Sequence, residues 1–426
     1  MRLARSQTRS VEHTNNYHLV MDIAWFGIAL AATSRFLSIY AIHLQASAME
    51  IALLTALPAI VLLISSLFGG WWRARYHNTV HALFWPGLMF RFMFFMLALT
   101  PLLPHHLQTT WLILAVTIPA VPQGVAGVIF LVMLREAVNT DRVTRLVSHR
   151  AAAFNIGIAF GALGCGLWLE AAPFPINYQV MFLVAFLAAL VSWWHVNRVR
   201  DLLDDAPPAT VALPQPLRVD RRAAWRSPAL WQMAFLTGIT HLSLFIIFPV
   251  VPIHMVDNLH ASEGFIALFG MAELAGGALM ALYANTLSSR LGERLMIVYG
   301  MMVIGIAALL VALAPALWVT LIAALLMGGA WAVVGIGVFA NMTRSAPAEH
   351  ATLHAMIFSQ TVGLATFLGP IIGSGLVEIG ISVVTVMLFG AAVRFTAALL
   401  VALQPHAIAP RLSVRRMLAN ITTINQ

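Results

Sequence analysis

The side chains best placed to do chemistry in this sequence are ionisable groups set inside long apolar runs. Glu273 is the sharpest, near the middle of one run with Gly270, Gly277 and Ala284 on its helical face. A carboxylate in apolar surroundings is costly as an ion, so it finds a cation or takes up a proton. Poised between those states it can bind and release a proton; held by a fixed arginine it is a structural element. His241 lies at similar depth in the preceding run and titrates where a proton relay needs it, or it is a hydrogen-bonded packing residue. The stretch "HLVMDIAWFGIALAATSRFLSIYAIHL", residues 18–44, carries Asp22 and Arg35. Their separation is about 20 Å along a helix axis, on different faces, so they do not pair. Asp22 is expected in the first turn, near water and the positive helix end, as a cap or as a gate or proton site. Trp25, Thr33 and Tyr40 follow it, with Ala29 and Phe36, at i+3/i+4 steps. That stripe lines a cavity for an amphipathic substrate or packs. Arg35, among Gly27, Ala31, Ser34 and Ser38, is expected to face protein or a watery cavity, since exposure to lipid at that depth costs several kcal/mol.

The elements that must position these groups follow from composition. Of 426 residues 61% are hydrophobic and only 9% charged, where a soluble domain carries roughly a quarter charged. A run of about 20 apolar residues spans a bilayer as a helix. Twelve such segments fall near 19–43, 48–70, 79–101, 110–134, 151–170, 178–197, 229–255, 263–285, 295–314, 317–341, 353–377 and 381–403. They are unbroken apolar runs, which describe helices rather than the alternating strands of a barrel. The fold class is therefore an all-α membrane protein.

All 24 basic residues are arginine. Apart from Arg35, Arg91 and Arg394, each precedes the first run, follows the last, or falls in an even-numbered connection; the odd-numbered ends carry Glu50, Glu170, Asp257, Glu263 and Glu378. By the positive-inside rule both termini are cytoplasmic, so the net charge of +8 reads as topology and calls for no nucleic acid. The single cysteine, Cys165, excludes an intramolecular disulfide and a cysteine metal cluster. No cofactor or metal is expected. The first run is too long for a cleaved signal peptide and is expected to stay in place.

A stretch with four prolines between 207 and 216 divides six runs from six. The expected organisation is a cytoplasmic segment 1–18, a bundle 19–197, a linker 198–228, a second bundle 229–403 and a tail 404–426. The halves repeat. "IHLQASAMEIALL" sets against "IHMVDNLHASEGFIALF", and "NIGIAFGALGCGLWLE" against "GLATFLGPIIGSGLVE", with Gly161 opposite Gly369.

This order of runs, termini and central loop resembles the major facilitator superfamily. "LYANTLSSRLGERLMI", 282–297, is similar to that family's loop between helices 8 and 9 through Arg290, Gly292 and Arg294, with Ser289 where the family usually has aspartate. Its first-half counterpart, "FGGWWRARYHN", supplies Arg73 and Arg75 but no acid. "AVTIPAVPQGVAG" resembles the fourth-helix motif of proton antiporters through Gln123 and Gly124, with Ala120 in the place of its arginine; "GPIIG" in run eleven resembles the antiporter glycine–proline motif. The resemblance implies two six-helix bundles around a cavity lined by helices 1, 4, 7 and 10, with helices 5 and 8, and 2 and 11, meeting between bundles. It places helices 3 and 12 at the periphery, so Arg91 and Arg394 within them read as structural cations bonded to carbonyls. It also implies cytoplasmic gating loops at Arg73, Arg75, Arg290, Gly292 and Arg294, and alternating access. Arg35, Trp25, Thr33, Tyr40, Gln123, Asn155, Trp331 and Gln360 are candidates for substrate contact, and Glu273, His241 and Asp22 for a proton.

No P-loop, zinc-protease or nucleophile-elbow motif stands in a suitable context, so an enzyme is not expected. The favoured reading is a monomeric secondary transporter in a prokaryotic inner membrane, in contact with lipid and coupled to H+. The cavity is expected to be aromatic and poor in charge, which favours export of an amphipathic compound. The alternative is a permease for uptake of a nutrient or an organic anion, and an anionic substrate gains ground if Arg35 faces the cavity. A transporter-like sensor or scaffold is the reading from another class.

Overall fold

The protein is described here from a computed structural model that covers residues 2–138, 140–200, 225, 227–345 and 351–404. Most of the expected linker and all but the first residue of the expected tail lie outside these residues. Among the described residues twelve helical spans are long and apolar enough to cross a membrane. They are α1 (Val11–His43), α2 (Ala48–Ser66), α3 (Thr79–Ala98), α4 (His105–Leu134), α5 (His149–Ala171), α6 (Ile176–Val196), α7 (Pro228–Asn258), α8 (Glu263–Tyr283), α9 (Arg290–Ala312), α10 (Leu317–Met342), α11 (Met356–Glu378) and α12 (Val383–Leu403). The first helix already begins at Arg2 and runs to Ser34, so the expected 1–18 segment continues into α1 without a break.

Several starts are fixed by side-chain caps. Ser47 and Glu50 form a reciprocal capping box on α2, Asn78 accepts from the amides of Val80 and His81 on α3, and Ser262 and Ser382 cap α8 and α12. Each satisfies amides that a helix leaves orphaned at its N-terminus.

Within each half, glycine lets backbones touch, as lipid-embedded helices require when apolar surface alone gives no drive to associate. In the first half Gly157 and Gly161 of α5 lie against Ala24 and Ile28 of α1. In the second, Gly369 and Gly373 of α11 lie against Phe245 and Ile246 of α7. The glycines matched by the sequence repeat, Gly161 and Gly369, thus make equivalent helix pairs. Gly328 of α10 faces the carbonyl oxygen of Glu273 so closely that a Cβ there would overlap it. Gly277, one turn on, faces the Gly328 carbonyl with room for a methyl group at 3.5 Å.

Both leading helices are interrupted. α1 is helical to Ser34 and again over Phe36–His43, with Arg35 between them at φ −127°, ψ −45°. α7 is helical over Pro228–Phe245 and resumes at Val250–Ile253, after Pro249. Arg35 precedes His43 by as many residues as Ile246 precedes His254, and those histidines are matched in the repeat. The breaks therefore fall at corresponding positions.

The halves meet where the resemblance implied. Gly166 of α5 touches Ala267 and Gly264 of α8, while Met49 and Leu63 of α2 reach Gly375 and Gly363 of α11. One large apolar cluster, including Phe36, Tyr40, Tyr178, Val250, Ile266 and Phe269, runs through both halves. It lies toward the end of the molecule that bears the odd-numbered connections. Nearer the other end, separate clusters form inside the first half around Leu83 and Met133 and inside the second around Met301 and Val334.

Two glycines make testable demands. Gly292, between α8 and α9, has φ +74° and ψ 161° with no atom near its missing Cβ. Gly292→Ala should therefore cost about 1–3 kcal/mol through backbone conformation alone, read as a lower melting temperature in detergent. Gly328→Ala must push α10 off α8 and should cost about 1–3 kcal/mol, while Gly277→Ala melts close to the unaltered protein. Equal melting of the two α8–α10 variants would contradict this packing.

Candidate functional site

A cavity of about 210 Å³ lies between the halves at the level of both helix breaks. α1 contributes Ser34, Arg35, Ser38 and Ile39; α7 contributes residues from Leu244 to Met255; α8 contributes Ile266, Phe269 and Glu273; α10 contributes Met327 and Trp331; α12 contributes Arg394. The break at Arg35 presents the guanidinium to Glu273 across the halves, and the two form an ion pair. Both side chains keep about a quarter of their surface accessible, 27% and 23%. Gly270 stands one helical turn before Glu273, and a Cβ there would touch Arg35 Nε at 3.5 Å; the small residue leaves room for the arginine. Arg35 also lies 5.9 Å from the centroid of the Phe269 ring.

Arg394 changes the expected picture. The family arrangement put its helix at the periphery, yet its side chain, 1% exposed, forms part of the cavity wall. It donates from Nη2 to the Leu244 carbonyl at 3.0 Å, as a structural reading anticipates. Nε and Nη1 have no acceptor among the described residues. The expectation of a wall poor in charge is corrected accordingly: it carries two arginines and one glutamate.

The stripe from Trp25 to Tyr40 does not line this cavity. Ala29, Phe36 and Tyr40 are fully buried, and the Tyr40 ring stacks on Tyr178 at 4.5 Å. Thr33 turns its hydroxyl to the Leu30 carbonyl at 3.1 Å, and Trp25 is partly exposed. The aromatic face drives packing of α1 on α6, and the small, polar face looks into the cavity.

Asp22 is not near water. It is 3% exposed and accepts from Ser192 Oγ at 2.7 Å, Arg150 Nη1 at 3.2 Å and Arg91 Nη2 at 3.3 Å. Arg91 also donates to the Gly87 carbonyl at 2.6 Å and to Ser192 at 2.7 Å, and Arg150 donates to the Leu19 carbonyl. The reason is sequence-local: the helix begins at Arg2, so Asp22 lies deep within it, where only cations from α3 and α5 can answer its charge. Gln123 joins this cluster on a second, smaller cavity within the first half.

His241 is buried and lines neither cavity. Its Nδ1 lies 2.8 Å from the Thr237 carbonyl, and its ring meets the edge of Trp331 at 5.3 Å. It supports a cavity residue and does not reach Glu273. Trp331 itself is in the wall. Asn155 and Gln360 are exposed on α5 and α11, outside both cavities.

The loops have local duties. Arg73 donates to the Tyr76 carbonyl at 2.6 Å and pairs with Glu136 at 3.7 Å, while Thr79 also bonds Glu136. Glu136, at the end of the α4 helix, supplies the acid that the 68–78 loop lacks. Arg75 stacks on Trp71 at 3.2 Å. Arg294 donates to the carbonyls of Val401 and Ala402, holding the last turn of α12. Arg290 is exposed, and Gly292 makes the turn already described. The Ser289 side chain is outside the described ones.

At the odd-connection end, polar contacts join the halves. His43 Nε2 and Glu263 Oε1 are 2.9 Å apart, and Tyr178 donates to the same carboxylate at 3.4 Å. Glu170 accepts from Ser262 Oγ at 2.6 Å and from the Gly264 amide at 3.1 Å. An acceptor at the first turn of α8 also suits the helix dipole.

Sequence reasoning missed Arg394, Glu136 and the α7 wall. Two signals pointed there. Arg394 was an ionisable residue inside a span, functional by default in a membrane. Pro249 and Pro252 interrupt the run that pairs with α1, and interrupted helices at equivalent positions of two halves mark transporter binding sites.

Comparison with known proteins gives the same fold. The chain matches the family model described as Major Facilitator Superfamily over residues 23–240 and 233–417. No curated protein matches it. Among solved structures it is similar to a bacterial homologue of the iron transporter ferroportin in an inward-facing state, at 12% identity and TM-score 0.71, covering 92% of this chain and 99% of that one. It is also similar to the nucleoside transporter NupG, at 15% identity and TM-score 0.70, covering 92% and 98%. A D-xylose–proton symporter matches at 15% identity and TM-score 0.70, covering 91% and 97%. With two six-helix bundles around a cavity and a family model matching nearly its whole length, this chain belongs to the Major Facilitator Superfamily.

Proposed function

We propose that the protein carries an amphipathic small molecule across the cytoplasmic membrane of a prokaryote by alternating access, with a proton exchanged at Glu273. It acts as a monomer in lipid, with both termini in the cytoplasm. One observation carries this reading: the Arg35–Glu273 ion pair, one residue from each half, in the wall of the cavity between them. While paired, the carboxylate is balanced. When the halves move and Arg35 withdraws, Glu273 faces an apolar wall of Phe269, Ile266 and Met327. An unanswered carboxylate in such a place is better protonated than ionised. Movement of the halves and uptake of a proton are thereby one event.

Charge placement bears on which end faces out. Arginines in the even connections support an outside location for the odd-connection end, where the His43–Glu263 and Glu170–Ser262 contacts join the halves. This arrangement corresponds to a cavity closed to the exterior. Export was favoured by a wall poor in charge; two arginines and one glutamate now favour the alternative, uptake of an organic anion. Protonation of Glu273 leaves both arginines uncompensated, so proton and anion enter together.

In liposomes containing a pH dye, challenged with lipophilic drugs, small anions and sugars, a transported compound should move protons into vesicles holding the wild type. Glu273→Gln, which cannot take up a proton, should abolish that proton movement while counterflow exchange of the compound persists. Unchanged proton coupling in the variant rejects Glu273 as the proton site. Flux of no compound at all favours the sensor reading.

The outer contacts give a second check. Each partly exposed polar link is worth about 0.2–1 kcal/mol, so Glu170→Ala together with Glu263→Gln should open that end only several-fold. Deuterium exchange at the Gly264 amide, which loses its acceptor, should rise; unaltered protection would mean the contacts do not hold the end closed.

A further inference from the structure

We propose that Arg394 is the anchor for a single anionic group on the transported molecule, which makes the substrate class an organic monoanion with an apolar body. The inference rests on the reading of the central cavity as the transport site, and adds to it the residue and the charge that select the substrate.

The buried arginines of the spans differ in how their charge is met. Arg91 and Arg150 share Asp22, and Arg35 has Glu273. Arg394, the most deeply buried of them at 1% exposure, has no carboxylate partner among the described residues. Its one acceptor, the Leu244 carbonyl, is freed by the break in α7: the Phe248 amide, which a continuous helix would send there, bonds the Phe245 carbonyl instead. Capping that carbonyl is a structural duty, but it uses one nitrogen of three. A guanidinium without a counter-charge in a low-dielectric wall is an unmet demand for an anion. It is also the side chain whose planar donors suit a carboxylate.

The wall supplies the rest of a binding site for such a molecule. While Glu273 and Arg35 are paired they cancel, so the resting cavity carries one net positive charge, at Arg394, which a monoanion neutralises. Phe245, Phe248, Phe269 and Trp331 offer ring surface for an apolar body. Gly390 keeps the guanidinium in place beside α7: a Cβ there would press on Ile247 and come within 3.3 Å of Nη1.

The test is binding by the purified full chain in detergent, measured by equilibrium dialysis, for three matched pairs: benzoate and benzyl alcohol, 1-naphthoate and 1-naphthylmethanol, decanoate and decanol. The wild type should bind at least one acid about tenfold or more tightly than its alcohol, the discrimination that a charge-assisted hydrogen bond supplies. Arg394→Gln should bind both members of that pair alike, at the affinity of the alcohol, and Arg394→Lys should regain part of the preference. A wild type without acid preference, a wild type that binds none of the probes, or an Arg394→Gln protein that keeps the preference each overturns the proposal. Photo-crosslinking of the wild type with 4-benzoylbenzoate needs no variant to fold: the acid, and not 4-benzoylbenzyl alcohol, should label peptides spanning 244–252 or 390–398. Equal labelling by both, or labelling elsewhere, counts against it. Binding without flux would leave this assignment standing and remove the transport reading; flux of an acid whose binding ignores Arg394→Gln would do the reverse.

Discussion

A charge placed in a medium that cannot solvate it must be answered by another charge, and this constraint organises the interior of the protein. It is answered in two ways. Inside the first half, Asp22 draws in Arg91 and Arg150 from two other helices, with Ser192 and the Gly87 and Leu19 carbonyls accepting further bonds from the two arginines. That cluster is closed within one bundle and ties α1, α3, α5 and α6 together. Between the halves, Arg35 and Glu273 answer each other across a cavity, so the same constraint ties the two bundles. Removing one member of a buried pair typically costs about 3–5 kcal/mol, a cost that applies to the Asp22 cluster, whose members are almost fully buried, more than to the partly accessible Arg35–Glu273 pair.

Glycine decides how faithfully movement is transmitted. Where Gly328 lies on the Glu273 carbonyl and Gly157 on Ala24, helices touch through their backbones and have no side chains to rearrange. Such pairs move together. The helical ladder is interrupted in α1 and α7, and these breaks bracket the cavity. The group that exchanges a proton in our reading is thus mounted on a stiff helix pair, while its arginine partner stands at a break.

Much of the fold was legible because its signals are long. Twelve apolar runs, their arginine placement and the repeat are properties of tens of residues, and twelve helices fell where those runs lie. The site was legible only in part. Glu273 and Arg35 stood out as charges inside runs, but nothing in either run announces that they meet, since the contact joins residues from different halves. Asp22 misled because a helix start was inferred from hydropathy, and the helix had begun earlier with polar residues that hydropathy ignores. Tyr40 and Phe36 misled because an aromatic stripe at helical spacing describes a packed face as well as a cavity wall. Arg394 was found by its residue type and then misjudged by analogy, because a long side chain on a peripheral helix can still reach inward. Glu136 shows a related gap: the acid missing from one loop is supplied by the end of a distant helix.

The pairing of Arg35 with Glu273 has an electrical consequence. A single charge carried through the full voltage of an energised membrane gains or loses about 2.3 kcal/mol for every 100 mV. Opposite charges at one depth feel equal and opposite forces, so the closed pair can be reoriented without work against the field. Only when the pair is parted, or one member is neutralised, does the voltage act on what remains. The closed ion pair therefore adds no net charge for the membrane potential to act on, and leaves that potential to act on Arg394 and on the cargo.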